Sequence, residues 1–355
     1  MARSRRSVHP IAWWIWALAL GASALRTTNS LLLGLLIGSA WFVVAARRPA
    51  APWARSFGSF LRLGVAIIVL HMVFQALFGA RLPGHVLFTL PEVVLPSWLA
   101  GVSLGGPVTS ESMVQAFQEG LQLATLLACV GAANSLASPY RLLRSMPAVL
   151  YELGVVVTVG LSFAPQAVMS AQRVREARRL RGRPHSGLKG LRGLAMPVLE
   201  GALEHSLQLA ASMDSRGYGR RGDAPARRRR VSQVAMLGGA MAVCLGAYGL
   251  LDNSVPSAMG LPALAIGCAL LVGSLAVGGV ASSRTRYRPD PWRAPEWTTT
   301  AAGLLTLTGL VLATKAGIEG LHPPTSPLSF PTLPLFPAAA ILCATIPAFT
   351  TPEPL

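Results

Sequence analysis

Residues 165–218 read PQAVMSAQRVREARRLRGRPHSGLKGLRGLAMPVLEGALEHSLQLAASMDSRGY and contain two helical blocks that end alike. The first block ends in Ala-Arg-Arg-Leu-Arg-Gly at 177–182, and the second ends in Met-Asp-Ser-Arg-Gly-Tyr at 213–218. The chain on either side is mostly apolar, whereas this stretch is rich in arginine. The pattern predicts a charged module within a membrane protein, placed to contact a soluble partner.

Composition indicates a polytopic integral membrane protein of the all-α class. The 355 residues are 52% hydrophobic and only 13% charged, against roughly 25% charged in ordinary soluble domains. Several apolar runs approach the roughly 20 residues that cross a bilayer as a helix, and they predict about eight transmembrane helices. The predicted spans are residues 9–25, 31–46, 63–78, 113–136, 231–251, 261–280, 298–314 and 336–349.

Positive charge predicts the topology, because cytoplasmic loops of membrane proteins collect lysine and arginine. Arg3, Arg5 and Arg6 precede the first apolar run, so the N-terminus is predicted to be cytoplasmic, and the loop at 80–110 to lie outside. Residues 138–171 are apolar enough to cross. Crossing would, however, expose about half of the 31 lysines and arginines on the outer side. The segment is therefore predicted to lie along the inner leaflet, bent by Pro165.

Three regions follow from this topology. Residues 1–136 form an N-terminal four-helix transmembrane region, residues 137–230 a cytoplasmic or interfacial module, and residues 231–355 a C-terminal transmembrane region. Within the module, Gly182 and then Pro184 are expected to end the first helix. Pro197 is expected to break or restart the second helix, which ends at Arg216 and Gly217.

A glycine stop with an arginine beside it is ordinary helix capping when it occurs once. Two such endings, on amphipathic helices of one module, favour a pair of docking sites, since arginine binds carboxylates with a geometry that lysine cannot reproduce. The candidate docking residues are Leu180, Arg181, Gly182, Ser215, Arg216 and Gly217. The supporting positions on the two helices are Pro165, Ala177, Arg178, Met213 and Tyr218.

These two endings resemble motifs of the transmembrane T component of energy-coupling factor transporters, the family that includes the cobalt-transport permeases. That family carries an Ala-Arg-Gly type motif at the end of each of two coupling helices. Leu180-Arg181-Gly182 and Ser215-Arg216-Gly217 match in arginine and glycine and depart at the first residue. Residues 161–165 and 26–29 are also similar to family segments, so the resemblance spans residues 9–220.

The resemblance implies a coupling subunit rather than an enzyme. Each motif would dock on one of two cytoplasmic ABC-type ATPases, either a homodimer or a heterodimer. The chain would link them to a membrane-embedded substrate-binding S component, which selects a vitamin or a transition-metal ion for uptake. The implied location is the bacterial cell membrane, with several spans.

The sequence lacks the motifs of several other functions. The two lysines, Lys189 and Lys315, lie outside any phosphate-binding loop, and the six histidines show no paired metal-ligand spacing. The four cysteines stand singly in apolar runs, so no metal, cofactor or disulfide framework is predicted. A net charge of +17 is compatible with nucleic acid, but the arginines lie between apolar runs, which favours topology signals and membrane lipid contact instead.

Two alternatives remain open. A different ABC-type or secondary permease would bind its own substrate and would need polar residues facing inward within its spans. A membrane protein whose basic loop only binds anionic lipid would need no ATPase at all. A membrane-embedded enzyme is disfavoured because no catalytic cluster accompanies Glu152 or Glu204.

Overall fold

A computed structural model describes residues 8–78, 84–94, 103–145, 151–182, 188–217, 226–251, 260–280, 291–325 and 328–352. Most of this part of the chain is helical. The helices are α1 Pro10–Ala24, α2 Ser30–Arg47, α3 Ser56–Phe78, α4 Ser110–Leu136, α5 Pro139–Arg144, α6 Tyr151–Leu180, α7 Leu188–Ser215, α8 Ala226–Leu251, α9 Leu261–Val280, α10 Ala294–Lys315, α11 Leu335–Leu342 and α12 Pro347–Thr350.

Within those residues, 5 helices are long and apolar enough to cross a membrane. They are Ser30–Arg47, Ser56–Phe78, Ser110–Leu136, Arg230–Gly249 and Ala294–Lys315. Three shorter apolar helical segments are Pro10–Ala24, Pro262–Ser274 and Leu335–Thr350. The predicted helical class with several candidate spans is confirmed, while the predicted number of spans is not.

The predicted loop at 80–110 contains a β-hairpin, so the fold is not purely helical. Strand β1 (Val86–Val94) pairs antiparallel with β2 (Ser103–Thr109), and the pairing shifts register between Leu90 and Val93. Pro91 lies in that irregularity, which is where a residue without a backbone N–H is tolerated in a sheet. The prolines favoured a loop in the sequence, but the β-branched and aromatic residues of β1 favour a strand.

The chain groups into two compact units, one comprising Met1–Leu142 with Pro289–Leu355 and the other Leu143–Arg288. In the first unit, α4 packs against α1, α2 and α3, and α10 packs against α1. The largest fully buried apolar side chains are Trp16, Leu20, Leu32, Leu33, Leu36, Leu310, Ile341 and Val43. The final helices are therefore part of the same core as the first ones. The three-region division made from the sequence stays a prediction.

Polar contacts bring four helix termini to one end of the first unit. Glu296 accepts hydrogen bonds from the backbone N–H of His9 at 3.2 Å and of Arg293 at 2.9 Å. Arg47 donates from Nε, at 2.9 Å, to the backbone carbonyl of Ala348. The hydroxyls of Thr298 and Thr350 lie 3.2 Å apart and join these two pairs, so the start of α1, the end of α2, the start of α10 and α12 lie together.

Charge differs between the two ends of this unit. The end just described carries Arg47, Arg48, Arg55 and Arg293, with Glu296 buried as a backbone acceptor. At the opposite end, Gln122 donates to the backbone carbonyl of Ala24 at 3.0 Å. Its charged residues include Arg26, Glu111, Lys315 and Glu319, two of each sign. The first end is named the basic end below.

In the second unit, α8 and α9 form a close pair. A Cβ on Gly267 would lie 2.6 Å from the backbone nitrogen of Val243 and 2.9 Å from the carbonyl oxygen of Gly239, so these backbones meet with no room for a side chain. Ser232 Oγ donates to the carbonyl oxygen of Ser274 at 3.1 Å. Small residues commonly permit such close approach between membrane helices.

The prediction that Pro197 breaks or restarts the second helix of the module is wrong. Helix α7 runs unbroken for 28 residues through Pro197, and α6 runs for 30 residues through Pro165. A proline inside a helix costs roughly 3 kcal/mol. In helices of this length the remaining backbone hydrogen bonds offset the cost of one proline, so each helix continues through it.

Candidate docking module

Helix α6 ends in an arginine followed by a left-handed glycine. The backbone N–H of Arg181 donates to the carbonyl oxygen of Ala177 at 3.2 Å, and that of Gly182 donates to Arg179 at 3.1 Å. Gly182 then adopts φ +67°, a conformation that glycine reaches without the penalty of a Cβ. The helix therefore ends at the predicted place, and Arg181 is its C-cap residue.

Helix α7 also ends in an arginine followed by a left-handed glycine. The N–H of Arg216 donates to the carbonyl oxygen of Met213 at 3.2 Å, and that of Gly217 donates to Asp214 at 2.8 Å. Gly217 has φ +71°. The hydroxyl of Ser215, the last helical residue, donates a hydrogen bond to the carbonyl oxygen of Ser212 at 2.9 Å. The two endings thus share a left-handed glycine whose N–H bonds three residues back, while the arginine N–H bonds four residues back in α6 and three in α7.

Both arginines are available to a partner. Arg181 and Arg216 are exposed, and neither guanidinium forms a hydrogen bond or ion pair within the part of the chain that the structure describes. The side chain of Leu180 is 90% exposed. Each end therefore presents an uncompensated cation, and the first also presents an apolar side chain.

Two contacts define how α6 and α7 lie against each other. The ring of Phe163 stacks on that of His205, with centroids 6.5 Å apart and an interplanar angle of 24°. Further along, the Arg178 guanidinium lies against Gly193, where an added Cβ would come within 2.7 Å of the guanidinium carbon. Between these two contacts the residue number increases along α6, from 163 to 178, and decreases along α7, from 205 to 193, so the helices are antiparallel.

This arrangement separates the two Arg-Gly ends. Arg181 lies beside the start of α7, while Arg216 lies at the far end of the same 28-residue helix. At a rise of 1.5 Å per residue, the ends are on the order of 40 Å apart along the helix axis. The structure does not bring the candidate docking residues together in one site. It places them at opposite ends of one helical hairpin.

The supporting positions divide by role. The backbone carbonyls of Ala177 and Met213 accept hydrogen bonds from the backbone N–H groups of Arg181 and Arg216. The side chain of Arg178 contacts α7. Pro165 is exposed and lies in the middle of α6, far from either end of that helix. Tyr218 lies outside the described residues.

Ionisable groups also meet between α3 and α4. Glu119 accepts a hydrogen bond from Gln115 at 2.9 Å, and its other oxygen lies 3.9 Å from Nδ1 of His71. The side chains of His71 and Glu119 are 36% and 46% exposed, so they line no enclosed site. Within the described residues, no group of three or more potential metal ligands occurs.

Sequence reasoning missed the antiparallel contact because no pattern in the sequence pairs Phe163 with His205 or Arg178 with Gly193. The one signal in the sequence was Gly193, because glycine within a helix, where alanine is the better helix former, can mark a close contact. Comparison of the sequence with protein-family models and with curated proteins found no match. The resemblance to T components rests on the motif residues themselves.

Proposed function

We propose that the chain is the transmembrane coupling component of an energy-coupling factor type importer. The observation that carries this proposal is the pair of alike Arg-Gly ends, Arg181-Gly182 and Arg216-Gly217, at opposite ends of one antiparallel helical hairpin. A hairpin with an equivalent cation at each end suits two equivalent partners better than one.

The separation of the ends favours an ATPase pair as those partners. A span on the order of 40 Å, from the helical rise, exceeds any single pocket and matches the scale of two adjacent small domains. An arginine held at a capped helix end can enter an acidic groove as a planar fork, which forms paired hydrogen bonds to a carboxylate. Closure of the pair would then move both ends of one helical hairpin.

Charge distribution supports a cytoplasmic location for the N-terminus, and the arginine-rich sequence at 173–230 separately supports the same location for the module. The basic end of the first unit contains the start of α1 and the end of α2, and the described charged residues at the opposite end include both signs. Lysine and arginine accumulate on the cytoplasmic side of membrane proteins. The basic end is accordingly assigned to the cytoplasmic side of the bacterial cell membrane.

In this account the chain does not hydrolyse ATP. Hydrolysis belongs to the partner ATPases, and the vitamin or metal ion is chosen by a separate S component in the membrane. Both statements follow from the resemblance and from the lack of a phosphate-binding loop in the sequence.

One observation favours the alternative of a permease that binds its own substrate. His71, Gln115 and Glu119 form a polar cluster on helices that are candidate spans, and ionisable residues within spans often mark a transport path. Their partial exposure argues instead for a contact that another membrane protein covers. Substrate uptake by cells that contain this chain without the ATPases and the S component would favour the permease.

Copurification tests the proposal. The tagged chain, expressed from its native chromosomal context and purified in mild detergent, is expected to retain two ABC-type ATPase subunits and a small membrane protein. The retained complex should hydrolyse ATP, while the chain expressed alone should neither hydrolyse nor bind ATP. Purification without ATPases under conditions that preserve other membrane complexes would count against the proposal, as would ATP hydrolysis by the single chain.

A further inference from the structure

A cavity of about 530 Å³ lies in the connection between α2 and α3, at the basic end. Its lining residues are Arg48, Pro49, Ala50, Ala51, Ala54 and Arg55. The volume falls within the several hundred Å³ typical of small-ligand sites. Apart from the two arginines, the lining is formed by short apolar side chains.

The walls of the cavity are held in place without a ligand. On one side, the guanidinium of Arg47 donates to the carbonyl oxygen of Ala348 at 2.9 Å and 2.6 Å. On the other side, Ser135 Oγ donates to the carbonyl oxygen of Ala54 at 2.8 Å. Pro49 restricts the backbone between these ties. A ligand would therefore meet backbone walls already in place, and only the two arginine side chains would have to be ordered.

The cavity carries two positive charges and no carboxylate. Arg48 and Arg55 are exposed, and neither side chain has a hydrogen-bond or ion-pair partner within the described ranges of the chain. Two guanidinium groups around one small cavity favour a ligand with several anionic oxygens, because each planar fork can donate two hydrogen bonds to it. Phosphate meets that requirement.

Position indicates the source of the phosphate. Arg48 follows the last residue of one candidate span, and Ser56, after Arg55, begins the next. A site at the junction of two spans lies at the level of the lipid headgroups. Arg62, exposed two turns into α3, has a stem long enough to reach the same level.

We propose that this cavity binds one phosphate group of an anionic phospholipid, with Arg48 and Arg55 as its ligands. The bound lipid would fix the α2–α3 connection to the inner membrane surface. The site does not depend on what the Arg-Gly ends of α6 and α7 bind.

Native mass spectrometry of the full-length protein in detergent tests the site. The probes are dioctanoyl phosphatidylglycerol, dioctanoyl phosphatidylcholine and inorganic phosphate. The wild-type chain is expected to bind one phosphatidylglycerol more tightly than either other probe. Arg48→Gln with Arg55→Gln should weaken that binding by about a hundredfold, at roughly tenfold for each charge-assisted contact. Arg48→Lys with Arg55→Lys should give an intermediate loss, because charge is kept and the fork is lost.

The matched control is Arg227→Gln with Arg230→Gln, which removes the same charge from two exposed arginines at the start of α8. This variant should bind the probe as the wild type does, and all three double variants should elute from gel filtration as the wild type does. Equal loss in the control would mean that diffuse basic charge, and not the cavity, attracts the lipid. Tighter binding of inorganic phosphate than of phosphatidylglycerol would overturn the assignment to lipid, and unchanged binding in the Arg48/Arg55 variant would overturn the site itself.

Discussion

The side-chain amide of Asn29 donates a hydrogen bond to the backbone carbonyl oxygen of Thr332, 303 positions further along the chain, at 2.7 Å. The same nitrogen donates to the carbonyl of Gly320 at 2.6 Å, and the amide oxygen accepts from the N–H of Leu31 at 2.9 Å. Asn29 is fully buried. One side chain thus caps α2 and joins the α1–α2 link to the segment that follows α10.

Replacing Asn29 by alanine should destabilise the first unit by about 2–4 kcal/mol, since it removes a helix cap and two hydrogen bonds to part-buried carbonyl groups. The measurement is the free energy of unfolding in detergent, followed by tryptophan fluorescence. Thr28→Ala is the matched control, because its hydroxyl makes only a 3.4 Å exposed contact with His322. Equal stability of the two variants would mean that Asn29 does not hold the two segments together.

Gly303→Ala should weaken the contact between α1 and α10. An added Cβ would lie 2.7 Å from the Cα of Trp16, which is backbone and cannot rotate away. We expect a loss of about 1–3 kcal/mol, as for other insertions into well-packed cores. Gly34→Ala on α2 is the control, since nothing lies within 4 Å of its Cβ position, and it should be neutral or slightly stabilising. A stable Gly303→Ala variant would show that the α1–α10 packing is looser than described.

Gly182→Ala and Gly217→Ala should disturb the two candidate docking ends without unfolding the protein. A Cβ at φ +67° or +71° costs about 1–2 kcal/mol, so the helix end would rearrange and the neighbouring arginine would change direction. Recovery of ATPases from the membrane should fall for both variants. Gly201→Ala, within α7 and with open space around its Cβ position, should bind as the wild type does. Normal recovery with both alanines would indicate that the left-handed ends have no part in docking.

Labelling with a membrane-impermeant maleimide tests the topology after the four native cysteines have been replaced. Ser215→Cys, at the end of α7, should react only when the inner side is accessible. Glu319→Cys, exposed at the end opposite the basic end, should react with intact cells. The reverse pattern would contradict the cytoplasmic assignment of the module and with it the docking proposal.

Local features of the fold could be predicted from the sequence. Apolar runs indicated the helices from α1 to α4 and from α8 to α10 to within several residues, and Gly182 and Gly217 marked two helix ends. These features depend on residues near one another in the chain. The hydrogen bonds of Asn29 do not, because a buried asparagine has no pattern that names a partner 303 positions away.

Predictions from single residues were wrong where the surrounding helix or hairpin outweighed the preference of that residue. Pro197 is a helix breaker by its own chemistry, yet 28 residues of continuous helix tolerate it. Pro91 suggested a loop, yet it occupies the register shift of a hairpin. The opposed placement of Arg181 and Arg216 required the contacts of Phe163 and Arg178 with α7, and neither contact has a sequence signature.

Arg181 and Arg216 carry the central claim. If each docks in an acidic groove of an ATPase, truncating either one leaves a partner carboxylate buried without its cation, which commonly costs several kcal/mol. Arg181→Ala or Arg216→Ala should therefore reduce recovery of the ATPases by about tenfold or more, with normal membrane insertion. Arg181→Lys and Arg216→Lys should restore recovery only in part, because lysine keeps the charge and loses the fork.

The decisive measurement is a quantitative pull-down of the ATPases with Arg181→Ala, Arg216→Ala and Arg227→Ala, alongside substrate uptake in the same cells. The account predicts loss of both signals for the first two variants and wild-type signals for Arg227→Ala, which lies exposed in the first turn of α8. Wild-type assembly and uptake with the first two variants, together with loss of both in Arg227→Ala, would contradict it and would make the basic run at 227–230 the interface.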